Sequence, residues 1–368
     1  MSTAVRLRAR IFSALGIAAI IPLTSSAETG TPTYAETLCL TDNGDGVCPD
    51  PTMAAEALRV PEGCTLVSVD AEGTFADGQC CFPVTLECAA DTGYKDFDGY
   101  DDCGCYGRPF VLEGKPLQAV EAETEGWSLE RRPEVHALSD VQRAQLAAFW
   151  TENGLAEHSS VAGFARFVLD LCAHGASSEL VQRALVAAVE ETHHARLCFG
   201  LASAYAGRPV GPGTMEMNGG APVARTLVEL AVTTAREGAV GETLSALIAA
   251  EMLGRTTDPA VREVLGHIVR DEGRHAELAW ATLKWAIAVG GDEVRDAVAA
   301  ELANAAMRVD AEEVVDAALI RHGLVPRGLL RQVVAEGIRE VIAPAAAALL
   351  GRPARRESAL APSAAATG

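Results

Sequence analysis

Basic residues are scarce in this chain. Lys and Arg number 30 against 50 Asp and Glu, which leaves a formal net charge of −20 over 368 residues. That balance argues against nucleic acid and against an anionic membrane surface as partners, because both are polyanions. No Cys-x-x-Cys occurs among the 10 cysteines, which argues against a rubredoxin or zinc-ribbon module built on such pairs. Complete calcium loops are missing too. Asp42-Asn43-Gly44-Asp45-Gly46 and Asp96-Phe97-Asp98-Gly99 are acidic turns, but Thr41 and Tyr94 stand where a calcium loop opens on Asp, so both read as Asx-type turns. Beyond Ile11 to Leu23 there is no long apolar run, and that one is short for a spanning helix.

The run from Ile11 follows Arg6, Arg8 and Arg10 and precedes Ser25-Ser26-Ala27. Basic, apolar and small-residue regions in that order read as a secretory signal peptide over residues 1–27, with no stable membrane span after cleavage and export to a periplasmic, cell-surface or secreted location. Residues 28–115 hold Cys39, Cys48, Cys64, Cys80, Cys81, Cys88, Cys103 and Cys105 among Gly, Asp, Pro and Thr. An even count behind an export signal reads as a disulfide framework, an irregular and β-rich module of unknown pairing, with short strands at Thr65 to Val69 and Phe82 to Leu86. Residues 116–138 are charged and read as a linker.

From Ser139 the chain is helical and mainly α throughout. Ser139-x-x-Gln142 is a capping box, Gly175 and Gly207 are stops, and Asp258-Pro259 is a start signal. Four long helices are expected over residues 139–290, the third from about Val223 to Gly254, with Gly207 to Pro222 as a long connection between the halves. Further helices occupy 291–351, with a second capping box at Asp310-x-x-Glu313 and a kink at Pro344. They would pad the bundle, close one end of its site or form a homodimer face. Residues 352–368, rich in Ala, Pro and Ser, read as a disordered tail.

Two of these helices carry Glu-x-x-His: Glu191 with His194, and Glu272 with His275. Residues three apart lie on one helical face, so each pair can offer a carboxylate and an imidazole to one metal. The helix before each pair carries one more acid in an apolar stripe: Glu157 among Val161, Phe164, Val168 and Leu171, and Glu242 among Ala235, Ala239, Ala246 and Ala249. A single Glu-x-x-His is usually a solvated surface pair. Two of them, each behind a helix with a glutamate in its buried stripe, reverse that reading, because unpaired carboxylates there would be costly. Glu152-Asn153-Gly154-Leu155-Ala156-Glu157 also parallels Glu237-Gly238-Ala239-Val240-Gly241-Glu242, so the halves look like a repeat. Glu152 and Glu237 lie well off the ligand face at five residues' separation and read as groups supporting the ligands or on the surface, with the surface favoured. His158 and His193 read as surface or supporting groups, and Cys172 and Cys198 as small buried hydrophobes.

This stretch resembles the ferritin-like superfamily, a four-helix bundle, and its motifs look like the Asp/Glu-Glu-x-Arg-His pairs of di-iron carboxylate proteins. Asp271-Glu272-Gly273-Arg274-His275 fits fully, while Glu190 to His194 has His193 in the Arg place. The resemblance implies that Glu191 and Glu272 bridge two metals, that Glu157 and Glu242 are terminal ligands, and that Glu190 and Asp271 orient the imidazoles. The oxygen-rich set favours two iron ions over zinc, with manganese as the alternative. An oxidoreductase acting on dioxygen or peroxide is then expected, and a peroxidase of this kind would draw on an external electron donor. Iron oxidation or sequestration is a second reading. A metal-free helical scaffold bearing a disulfide-rich binding module is a third.

Overall fold

The computed structural model describes residues 3–16, 33–41, 48–58, 64–69, 74–76, 79–88, 107–112, 114–217, 223–303 and 315–351. They fall into two compact units, one comprising residues 21–96 and the other residues 1–20 with 97–368. The Asp42 and Asp96 turns, Cys103, Cys105, the Asp310 capping box and the C-terminal tail lie outside the described residues.

The chain opens on α1 (Thr3–Ala14), within the stretch that reads as a signal peptide. Its Leu7 and Ile11 are buried in the main core of the larger unit, and Arg10 pairs with Glu277. The smaller unit has β1 (Thr33–Thr41), α2 (Pro51–Ala57), β2 (Cys64–Val69), β3 (Thr74–Ala76) and β4 (Gln79–Cys88). All pairings are antiparallel on β4, with β1 along one edge and β2 and β3 also paired to it. Alternate residues Cys80, Phe82 and Val84 are buried, as the two-residue period of a strand requires, and pack with Ala54 and Leu58. Cys48 and Cys80 form a disulfide, and Cys81 is disulfide-bonded as well. The backbone register sets Cys39 opposite Cys81 and Cys64 opposite Cys88.

The larger unit is mainly helical. The short pair β5 (Val111–Leu112) with β6 (Lys115–Pro116) precedes the long helices, and β7 (Glu121–Ala122) pairs with β8 (Gly211–Pro212), which follows the second of them. Residues 116–138 are therefore no free linker. Leu129 donates its N–H to Arg196 O, and Gly200 leaves room for the Leu129 carbonyl, so the segment is laid along a helix. Charged composition suggested solvent; the backbone bonds and buried Ala119 decide otherwise.

Helix α3 (Asp140–Ala173) starts at the Ser139–Gln142 capping box and runs unbroken through Gly154. Helix α4 (Ser178–Ala206) is capped by Ser177 and ends at Gly207, whose φ of 68° is the left-handed conformation that closes a helix. These two pack as one hairpin. The third long element is not one regular helix. It comprises α5 (Leu227–Thr233), a π-helical stretch Thr234–Glu242 and α6 (Thr243–Arg255). Asp258 Oδ1 accepts from Val261 N to open α7 (Pro259–Ala303), which Gly291 interrupts at φ 67°, ψ −145°. The third element packs on α7, and α4 packs across α7 to join the hairpins. The rest comprises α8 (Ala317–Arg321), α9 (Arg327–Gly337), a π-helical turn Ile338–Ile342 and α10 (Ala343–Leu350), with buried Val341 and Ala345 against the core. The irregular turn falls just before Pro344, which lacks the N–H a regular helix would use. Among the described residues no helix is long and apolar enough to cross a membrane.

The segment Gly107–Leu112 fits against α3 and the π-helical stretch only because glycines face it. A Cβ at Gly163 would stand 2.6 Å from the Arg108 carbonyl oxygen, and one at Gly241 2.6 Å from the Gly107 carbonyl oxygen. Backbone cannot swing aside as a side-chain tip can, so Gly163→Ala should cost about 1–3 kcal/mol. Gly254→Ala, with nothing within 4 Å of the added methyl, should be neutral or mildly stabilising. Thermal melts of the two variants compare them directly; equal melting would mean that the segment is not held in this groove.

Candidate metal centre

The proposed ligands come from four helical stretches: Glu157 from α3, Glu191 and His194 from α4, Glu242 from the last π-helical residue, Glu272 and His275 from α7. The six converge. Glu157, Glu191, His194 and Glu272 offer atoms that all lie within 4.8 Å of one another, and so do Glu191, Glu242, Glu272 and His275. Glu191 and Glu272 belong to both groups. The spacing argument thus brings together every residue it named, and the two shared carboxylates are those of the Glu-x-x-His pairs.

Burial is nearly complete. The side chains of Glu191, His194, Glu242, Glu272 and His275 are at most 1% exposed, whereas Glu157 keeps 14%. Inside, donors and acceptors lack hydrogen-bond partners among the described residues: both oxygens of Glu191 and of Glu242, Glu272 Oε2, His194 Nδ1 and His275 Nδ1. His194 Nδ1 lies 3.6 Å from Glu191 and Glu272 and 3.7 Å from Glu157. His275 Nδ1 is 2.9 Å from Glu191 Oε1 without hydrogen-bond alignment. Orphaned polar atoms at such burial are rare in folded proteins, and an ion is one of the standard reasons for them. The donor set of four carboxylates and two imidazoles fits divalent cations.

The outward nitrogens are braced crosswise. His194 Nε2 donates to Asp271 Oδ2 at 3.0 Å, and His275 Nε2 donates to Glu190 Oε2 at 2.9 Å. Each imidazole is thus held by the acid beside the shared glutamate of the opposite helix, which aims its Nδ1 inward. Arg274 Nη2 reaches both braces, Glu190 Oε1 at 2.5 Å and Asp271 Oδ1 at 2.6 Å. One arginine therefore serves where the motif pair would provide two. His193, in the other Arg place, instead meets His267 edge-on at 5.7 Å, and His158 meets Trp127 edge-on at 4.8 Å.

These surroundings pull the titrating groups apart. Burial, then the Glu191 charge, pushes Glu242 up to about 8. Burial followed by Glu191 likewise raises Glu157 and Glu272. Glu191 goes the other way: burial opposes it, but the adjacent imidazoles of His194 and His275 prevail and lower it. Burial disfavours the charged form of His275, yet Glu190 and Glu191 outweigh it and raise the ring to about 9. His194 is raised in the same way, against burial, by Asp271, Glu157 and Glu191. The cluster therefore holds protons that a bound cation would displace.

No protein-family model, curated protein or solved structure matches this chain. The site accordingly rests on its own residues.

Two arginines near it were not foreseen, and Glu237 takes the less expected of its two readings. Glu237 is 3% exposed rather than a surface group, and Arg166 from α3 donates to both its oxygens at 2.7 and 2.9 Å. The π-helical stretch has the wider turn that puts residues five apart on one side, so Glu237 follows Glu242 inward. Glu152, the repeat partner in the regular helix α3, is exposed. Arg108 is 1% exposed and approaches Glu242 Oε1 to 3.8 Å. The apolar run between Glu237 and Glu242 carried no sign of the wider turn, and Arg108 lies outside any helical motif. Cys198 is buried as expected, but Cys172 is exposed, so the two are not a buried pair.

Proposed function

We propose that this chain is an exported dimetal-carboxylate protein of the ferritin-like kind, holding two iron ions and reacting with dioxygen or peroxide. The observation that carries this reading is the sharing of Glu191 and Glu272 between two buried carboxylate–imidazole groups whose inward atoms lack partners. Glu157 and His194 would complete one position, Glu242 and His275 the other. A redox-active ion pair held there would supply the electrons for reducing a small oxidant.

The protein's own part in that chemistry is positional. Asp271 and Glu190 keep the Nε2 protons, so the Nδ1 lone pairs are free once cations displace their protons. Arg274 locks both braces together. Phe164, with its ring 5.0 Å from that of His275, and the Ala-rich faces exclude water and strengthen every charge interaction inside. Glu157, partly exposed, marks the side on which a diatomic oxidant would arrive. Sustained turnover of peroxide would need an external electron donor. The Cys48–Cys80 disulfide supports an oxidising compartment.

Metal analysis of natively expressed protein should find about two iron ions per chain, and reduced protein should consume peroxide or dioxygen in proportion to bound iron. Two manganese ions with peroxide disproportionation would change the metal assignment. Uptake of many irons per chain would favour sequestration. Protein without bound metal and without affinity for it would favour the scaffold reading.

A further inference from the structure

The six ligands and their braces are close to two-fold in arrangement, but what lies behind them is not. Behind Glu242 stands Arg108, carried by the segment Gly107–Leu112. Phe110 N donates to Ser159 Oγ at 3.0 Å, and Arg166 Nη1 donates to Val111 O at 2.8 Å, so the segment is fastened to α3. Gly107, at φ 105°, sits over the Glu242 carboxylate; a Cβ there would be 3.5 Å from Oε2. Gly238 is needed as well, since a Cβ would collide with the Arg108 guanidinium. The guanidinium lies over the Phe164 and Phe167 rings, 5.0 and 4.0 Å from their centroids. Its Nε and Nη2 have no hydrogen-bond partner at full burial. Among the described residues Glu157 has no such neighbour: its carboxylate is influenced by Glu191 and His194, and it is partly open to solvent.

A buried cation beside one terminal ligand lowers the negative potential available to a second cation there, and a dry setting keeps that effect from being screened. Glu237 offsets part of it, but Glu237 is itself held by Arg166. We infer that Arg108 is a positioning residue that makes the two metal positions unequal, with the Glu157–His194 position binding a divalent ion more tightly than the Glu242–His275 position. This rests on the dimetal reading above. It implies ordered loading: the first ion enters from the partly exposed Glu157 side, and the second completes the Arg108 side.

The test is anaerobic titration of metal-stripped full-length protein with Mn²⁺ and Fe²⁺ by calorimetry. Wild type should show two steps separated by roughly tenfold or more. Arg108→Met keeps the bulk and deletes the charge, and should tighten the weaker step on the order of tenfold so that the steps merge; Arg108→Lys should restore the separation. Glu242→Gln should remove the weaker step and Glu157→Gln the tighter one, which tests the assignment even if Arg108→Met does not fold. Equal steps in wild type, or identical isotherms for wild type and Arg108→Met, would overturn the role of Arg108 while leaving a dimetal site standing. Wild type that binds neither ion would remove the site and this inference together.

Discussion

Glu191→Ala and Glu272→Ala should each abolish binding at both metal positions, whereas Glu157→Ala and Glu242→Ala should each abolish binding at one. The difference follows from membership: the first two carboxylates belong to both ligand groups and the other two to one each. If both groups hold a cation, losing a shared carboxylate would weaken both positions at once, because it would remove negative charge from each. Plasma-emission analysis of protein expressed in iron-supplemented medium should fall from about two ions per chain to nearly none in the first pair, and to about one in the second. Circular dichroism on each variant separates loss of ligand from loss of fold. If all four variants kept full metal content, the ion would be held elsewhere. If Glu157→Ala lost as much as Glu272→Ala, the sharing would not hold.

Metal removal should lower the melting temperature, and more so at pH 8.5 than at pH 5.5. Without metal, the buried groups are stabilised by protons. Glu242 rises in the folded chain to about 8, from the 4.5 of a free carboxyl, so its protonated form favours the fold at low pH and that contribution is lost as pH climbs through 8. His275, raised to about 9 from 6.5, contributes stability that is full below 6.5 and is lost as pH climbs through 9. Both trends run the same way, so metal-free protein should weaken steadily from about pH 5 to pH 9. Asp271, held down to about 2 against burial by His194 and Arg274, has the opposite sign, and its contribution is lost only in strong acid. Cations held by the cluster would displace these protons and bind only the folded arrangement, so the metal-loaded protein should show a much flatter profile.

The glutamine variant sharpens the test. Glu242→Gln resembles the protonated wild type, so without metal the two should converge only as pH falls below about 4.5 and separate by several degrees near pH 9, with the variant higher. With metal present the order should reverse, because a ligand has been deleted. Chelator-treated wild type that melts as high as metal-loaded protein at pH 8.5 would mean that these carboxylates are not under the strain their burial implies.

Much of this centre was legible before any coordinates. A three-residue interval on a helix fixes which side chains share a face, and that geometry is local, so Glu191 with His194 and Glu272 with His275 could be paired from spacing alone. The capping residues Ser139 and Asp258 and the stop Gly207 work within a few residues of themselves, and each set its helix end as read. The surface was favoured for Glu237 because a regular helical period was assumed where the turn is wider. The stretch 116–138 was misjudged because charge content says nothing about whether a backbone will be bonded along a neighbouring helix.

The sequence by itself determined the ligand types, their pairing on helices and their placement in apolar stripes, since each depends on neighbours within one or two helical turns. Only the tertiary structure decided that Glu191 and Glu272 are shared, that each imidazole is braced from the opposite helix, and that Arg108 stands behind one end of the site. Those contacts join residues as distant as Arg108 and Glu242 or Glu190 and His275. Such contacts arise when separate helices bury their apolar faces against one another, and no local interval in the chain encodes them.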